Sequence, residues 1–259
     1  MDRQIAIVTG TSRLKGIGKA ICLELAMNGI EIFFTYWTDY DKQMPWKTGD
    51  NEPELIQSEI RALGVKCQKI ELNLAEENSI AKLFNEVESK LGSPTILINN
   101  AAYSTQTSIG NITSEELDKH YLVNLKAPIL LTAEFIKRFQ GNRNGRIVNL
   151  TSGQSLSFMN NEIAYAITKG AIETLTRTLS QEIARKGITI NAVNPGPTDT
   201  GWLDEQQSEM FKDRFPMGRL GQPGDVAKLI CFLVSEKAEW ITGQIIHSEG
   251  GFIREQYGS

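Results

Sequence analysis

A tyrosine and a lysine stand four residues apart in YAITK (165–169), inside a run whose apolar residues recur at helical spacing. On an α-helix, positions i and i+4 share one face. A phenol that titrates near 10 is a poor acid or base at neutral pH. An ammonium ~5 Å away, at an effective dielectric of ~20, favours the phenolate by ~3 kcal/mol, equivalent to about two pKa units. That shift brings Tyr165 towards neutrality, where general acid–base transfer is most efficient. The same spacing also arises in surface pairs, so the pair gains meaning only from what surrounds it.

A second stretch, TGTSRLKGIG (9–18), follows an apolar run and opens a helical pattern with Ile17, Ile21 and Leu25 on one face. A strand that turns through Gly10, Gly16 and Gly18 into a helix aims free backbone N–H groups and the positive end of the helix dipole at one spot. That spot suits a pyrophosphate. The spacing matches neither G-x-G-x-x-G nor G-x-x-x-x-G-K-[ST], which argues against an ATP-type phosphate loop. The chain has two histidines, His120 and His247, in unrelated contexts, and three scattered cysteines, Cys22, Cys67 and Cys231. A metal cluster or a serine–histidine nucleophile has almost nothing to be built from. No metal site is expected, and any catalysis must use other acids and bases.

The elements that would position these groups alternate along the chain. Strand-like runs fall at 4–9, 31–37, 65–74, 94–102, 145–152, 187–196 and 243–251, separated by stretches of 3.6-residue periodicity. The longest helical pattern carries Ile163, Ile167, Ala171, Leu175, Leu179 and Ile183 and ends at Lys186-Gly187. Apolar, β-branched strands without clean alternation suit a sheet buried on both faces. The expected fold is therefore α/β, a Rossmann-type doubly wound parallel sheet in three α/β/α layers, with 1–259 as one domain. Two segments interrupt the rhythm: a polar stretch at 37–54 with Trp37, Tyr40 and Trp46, and residues 197–223, with Trp202, Met210, Phe215 and Met217, read as a substrate lid.

Lys+Arg total 27 against Asp+Glu 31, a net charge of −4 over 259 residues. That balance argues against nucleic-acid or anionic-membrane partners. No run of eighteen apolar residues occurs, and a strand-like run begins within four residues of the N-terminus, so a cytoplasmic protein is expected.

TGTSRLKGIG, NNAA (99–102), VN (123–124), Ser152 followed by YAITK, and NPG (194–196) occur in that order, and QPGDVA (222–227) and ITGQIIHSEGG (241–251) follow. Together they resemble the short-chain dehydrogenase/reductase family in its single-domain form, over essentially the whole chain. The resemblance implies that Tyr165 protonates a carbonyl oxygen in reduction or takes the alcohol proton in oxidation. Lys169 would lower its pKa and bond the nicotinamide ribose, Ser152 would hold the substrate oxygen, and Asn124 would help a water relay protons beyond the lysine. Ser155 is the local competitor of Ser152. The implied cofactor contacts are Gly10, Ser12, Arg13, Lys15, Gly16, Ile17 and Gly18 in the turn, Trp37 after the second strand, Asn73 and Leu74 after the third, and Asn100, Ala101 and Ala102 after the fourth. Tyr165 and Lys169 join them, as do Pro195, Gly196, Thr198 and Thr200 in NPGPTDT.

The departures from the family pattern are specific. Five residues rather than three separate the first two glycines, NNAA replaces NNAG, and Asn73 stands where an aspartate is usual. No acid is seen at the end of the second strand, Asp39 lying too far along, and Arg13 and Lys15 place cations in the turn. These favour NADP over NAD. The implied activity is hydride transfer between a nicotinamide and a carbonyl or secondary alcohol, including 3-oxoacyl thioesters as in 3-oxoacyl-carrier-protein reductases. Oxidation of a sugar or polyol, and a non-catalytic nucleotide-binding regulator, are the alternatives. The expected partners are a small carbonyl or alcohol substrate and further copies of the chain in a homotetramer or homodimer.

Overall fold

The structure is a computed structural model that describes residues 4–44, 49, 51–141, 143–202, 209 and 212–254. Seven strands form one all-parallel sheet in the order β3-β2-β1-β4-β5-β6-β7. They are β1 (Ile5–Val8), β2 (Glu31–Tyr36), β3 (Cys67–Glu71), β4 (Ile96–Asn99), β5 (Gly145–Leu150), β6 (Ile188–Asn194) and β7 (Ile245–His247). The expected doubly wound sheet is therefore the observed one, with shorter strands than the apolar runs suggested.

Successive residues of the inner strands feed two cores. Ala6, Val8, Ile32 and Phe34 join one cluster with Ile21, Cys22 and Leu25 of α1 (Ile17–Met27), Ile56 and Ile60 of α3 (Glu52–Ala62), and Val226 and Ile230 of α8 (Pro223–Val234). Ile5, Ile7, Phe33 and Leu97 join the other. There they meet Leu83 and Phe84 of α4 (Ser79–Lys90), Leu131 and Phe135 of α6 (Ala127–Arg138), and Ile183 of α7 (Ile163–Ala184). Burial on both faces is why these strands read as continuous apolar runs.

The 37–54 stretch, read as a loop, contains a short helix, α2 (Thr38–Lys42), with Asp39 and Asp41 in its first turn. Trp46 lies outside the described residues. Between β4 and β5 the chain forms α5 (Ser114–Tyr121) and then a π-helical turn, Leu122–Lys126, that runs directly into α6. The 197–223 excursion is closed at its base by a bridge between Thr198 and Gly221, with Asp199 N–H donating to Gly221 O at 2.8 Å. Met210 lies outside the described residues. Phe215 is buried against Phe252 at 4.9 Å between ring centroids, whereas Trp202 and Met217 stay exposed. Among the described residues no helix is long and apolar enough to cross a membrane.

Candidate active site

The strand order reverses between β1 and β4, and the carboxyl ends of strands at such a switch point leave a crevice. A cleft of about 250 Å³ occupies that place. Its floor is the glycine turn. Gly10 has φ +72°, and a Cβ there would lie 2.5 Å from Ala101 Cα; at Gly18 it would lie 2.7 Å from Gly10 O. Asn100 fastens the turn to the end of β4: its Nδ2 donates to Thr9 O at 2.8 Å and to Gly10 O at 2.9 Å. Thr9 Oγ1 in turn accepts from the N–H groups of Asn100 and Ala101. The amino end of α1 opens beside this floor without a side-chain cap or an acidic residue in its first turn. Its N–H groups and dipole thus suit an anion, and the residues present fit a dinucleotide's pyrophosphate.

Of the residues expected to contact the cofactor, Gly10, Ser12, Arg13, Gly16, Ile17, Gly18, Trp37, Asn73, Leu74, Asn100, Ala101, Ala102, Tyr165 and Thr200 line this one cleft. Lys15, Lys169, Pro195, Gly196 and Thr198 do not. Lys15 lies along Gly201. Lys169 is buried beneath the wall, and the buried Thr198 hydroxyl is turned onto Pro195 O and Gly196 O. Tyr36, read with Trp37 at the end of the second strand, and Val123 of the VN motif also line the cleft, as do Tyr40, Asp41, Tyr103 and Ser104, which escaped sequence reasoning as cofactor contacts. Their only signal was proximity to assigned positions. Asp41 alters the electrostatic picture, because a buried acid does reach the cleft, from α2 rather than from the end of β2. Burial lowers the pKa of Arg13, and Asp41, Glu52 and Tyr40 oppose that shift. The Arg13 guanidinium also bonds Thr200 O, drawing the glycine turn and the segment after β6 together.

Tyr165 lines the same cleft from the first turns of α7, and the helix places Lys169 one turn on. Lys169 Nζ sits 5.4 Å from the phenol ring centroid and donates to Leu150 O at 2.8 Å. The electrostatic outcome differs from the sequence expectation. Burial raises the Tyr165 phenol well above its ordinary value, Glu162 and Tyr40 add to the rise, and a side-chain interaction with Ser152 works the other way. Burial likewise lowers Lys169 to about 8. Desolvation of both groups outweighs the attraction that the i, i+4 spacing alone suggested. At pH 7 an amine that titrates near 8 is still mostly protonated, so the cation remains beside a protonated phenol.

Ser152 follows β5, with Met159 Sδ 3.9 Å from its hydroxyl. Ser155, its competitor, donates instead to Glu173 Oε1 at 3.0 Å. Asn124 sits at the centre of the π-helical turn, a distortion often found at functional sites. Its Oδ1 accepts from Tyr103 N–H at 2.7 Å, and its Nδ2 donates to Tyr103 O at 2.8 Å and to Thr168 Oγ1 at 3.3 Å. The buried amide therefore clamps the loop after β4 to α7, where a water-relay role was the expectation. Ser152 and Asn124, like Lys169, stand outside the lining of the cleft, so the site joins an anion cradle to one wall phenol, Tyr165, with a buried amine behind it, an arrangement able to bind a dinucleotide and move a proton beside it.

A family profile described as enoyl-(acyl carrier protein) reductase matches residues 10–253. An uncharacterized oxidoreductase of Bacillus subtilis (strain 168), YjdA, is 47% identical over 255 residues, 98% of each chain. The 3-oxoacyl-[acyl-carrier-protein] reductase FabG of Staphylococcus epidermidis is 33% identical over 249 residues, 95% of this chain and 97% of that one. Among solved structures, a short-chain dehydrogenase/reductase from Serratia marcescens superposes with a TM-score of 0.85 at 27% identity, covering 96% of this chain and 97% of that one.

Proposed function

The chain belongs to the short-chain dehydrogenase/reductase family and is an oxidoreductase, and from that premise we propose that it reduces a ketone with NADPH, with Tyr165, Ser152, Lys169 and Asn124 as its catalytic machinery. The observation that carries this reading is Tyr165 on the wall of the cleft whose floor is the glycine turn, above a buried Lys169. The turn and the open amino end of α1 would hold the pyrophosphate. Asn73, Leu74 and Ala102 would face the adenosine, and Thr200 the nicotinamide end. When bound, a reduced nicotinamide supplies the hydride to the carbonyl carbon.

The chain's own groups handle the oxygen. As negative charge develops there, the hydroxyls of Ser152 and Tyr165 donate hydrogen bonds to it, and Tyr165 transfers its proton. The raised pKa keeps the phenol protonated but makes it a weaker acid, so its transfer depends on the greater basicity of the alkoxide-like oxygen that hydride addition creates. The Lys169 ammonium offsets the charge left on the phenolate. Asn124 keeps α7 and the post-β4 loop in register around both groups.

Arg13 in the turn and Tyr36 and Trp37 at the end of β2 support NADP over NAD, with the buried Asp41 that α2 brings into the same cleft pulling the other way. Resemblance to FabG makes 3-oxoacyl thioesters a natural first substrate class, and a substrate lid at 197–223 fits the excursion pinned at Thr198 and Gly221. The test is a panel of ketones, 3-oxoacyl thioesters, sugars and polyols, read by NADPH and NADH absorbance. NADPH oxidation with at least one carbonyl compound is expected. Tyr165→Phe should lower kcat by about 10²–10⁴-fold with the Kd for NADPH nearly unchanged. Full activity in that variant would overturn the acid assignment. Arg13→Ala should weaken NADPH binding more than NADH binding; an equal effect on both would sink the phosphate reading.

A further inference from the structure

Glu173 lies one helical turn beyond Lys169 on α7, and only 4% of it is exposed. A buried carboxylate is costly unless donors satisfy it. Its Oε2 has Arg177 Nη2 at 3.8 Å, but that guanidinium is largely solvated. The close donors come instead from the loop that carries Ser152. Gln154 Nε2 donates to Glu173 Oε1 at 2.6 Å and Ser155 Oγ donates to the same oxygen at 3.0 Å. The Thr151 hydroxyl stands 3.5 Å from it while also lying 3.2 Å from Lys169 O. Residues on both sides of Ser152 therefore converge on one carboxylate oxygen.

The loop conformation follows the carboxylate even at some cost. Gln154 Oε1 is buried with no hydrogen-bond partner among the described residues. Turning the amide over would satisfy nothing, because it would set that oxygen against the carboxylate. The turn itself is closed by Leu156 N–H and Ser157 N–H, which both donate to Gly153 O. Of the two serines able to serve the reaction, Ser155 has its proton committed to Glu173 at 3.0 Å, whereas the Ser152 hydroxyl has only a weak thioether acceptor, Met159 Sδ at 3.9 Å, and is the one a substrate oxygen can engage.

The geometry points to Glu173 as the positioning residue of this site: by gathering Gln154 and Ser155 it selects Ser152 as the serine that meets the substrate oxygen and sets its place. The inference rests on the acid–base reading of Ser152 and Tyr165 above. Glu173 touches neither substrate nor cofactor and acts through the loop.

A double-mutant cycle with Ser152 separates positioning from general support of the fold. With the best carbonyl substrate of the panel, Glu173→Leu should lower kcat/KM by about 10–100-fold through kcat, as expected of a group misplaced by about 1 Å. The Kd for NADPH should hold. Glu173→Gln keeps an acceptor oxygen and should recover the wild-type value to within about threefold. In a Ser152→Ala background the effect of Glu173→Leu should shrink to within about threefold, because the hydroxyl it aims is gone. An undiminished loss in that background would overturn the inference, as would a silent Glu173→Leu beside a damaging Ser152→Ala. A silent Ser152→Ala would overturn the catalytic reading beneath it. Should Glu173→Leu not fold, Gln154→Ala/Ser155→Ala removes the same two donors from the loop side and should show the same dependence on Ser152.

Discussion

At the scale of single residues, Lys169 sets stability against function. Burial lowers its amine to about 8, from an ordinary 10.5 in the unfolded chain. Between those pH values the unfolded chain binds more protons than the folded one, so stability rises with pH across that window. Below about pH 8 the full cost of the buried charge applies, ~3 kcal/mol by the size of the shift. Lys169→Met removes the charge and one hydrogen bond to Leu150 O, the latter worth about 1 kcal/mol. The variant should therefore be more stable than wild type at pH 7 by about 1–3 kcal/mol, with the difference shrinking between about pH 8 and 10.5. Urea unfolding at a series of pH values measures this, and a difference that ignores pH would mean the amine is not desolvated. The same titration should appear in the chemistry. Loss of the ammonium leaves the developing phenolate without its counter-charge, so kcat for reduction should decline as pH rises past about 8. A rate that holds flat to pH 10 would show that Lys169 carries no charge needed by the reaction.

At the scale of elements, the glycine turn and the bare end of α1 make one unit, and the turn tolerates no side chain. Gly10 combines a left-handed φ with a Cβ position 2.5 Å from the Ala101 backbone, whereas Gly64 has φ +88° and nothing within 4 Å. Gly64→Ala should cost about 1 kcal/mol of backbone strain and leave NADPH binding intact. Gly10→Ala should cost about 2 kcal/mol more and weaken NADPH binding, since the β4 end must move away from the turn. Thermal unfolding and fluorescence titration of both variants check the contrast, and equal effects would deny the turn its role. This unit was legible in the sequence because glycines between an apolar run and a helical period leave a strong local trace. The seven strands were legible for the same kind of reason. The five-residue α2 and the π-helical turn at Leu122–Lys126 were not, because neither is long enough to show its own period. Asp41 and Tyr103 joined the cleft through those elements and so went unseen. The depressed amine of Lys169 and the raised phenol of Tyr165 were hidden for another reason: helix spacing gives the distance between two side chains, while burial depends on the whole sheet beneath them.

At the scale of the whole molecule, α7 has two faces with different work. One carries Tyr165, Lys169 and Glu173 towards the cleft and the Ser152 loop. The other leaves Ile167 64% exposed, while the adjoining α5 exposes Leu117 and Tyr121 and the 86% exposed Ile109 precedes it. Exposed apolar side chains on two packed helices suit an interaction surface. Short-chain dehydrogenases/reductases typically oligomerise, and we propose a second copy of this chain, packed through α5 and α7, as the occupant. Light scattering after size exclusion should then give a homodimer or homotetramer. Ile167→Glu should shift it to a smaller species with unchanged far-UV circular dichroism, because the introduced charge would be buried only on assembly. The pairing should also support the catalytic face, since a helix held from outside keeps Tyr165 and Lys169 at a fixed depth. Specific activity should accordingly fall on dilution below the dissociation constant and fall further in Ile167→Glu, with cofactor affinity little changed. A wild-type chain that is monomeric and fully active at every concentration would refute the assembly and its link to catalysis together.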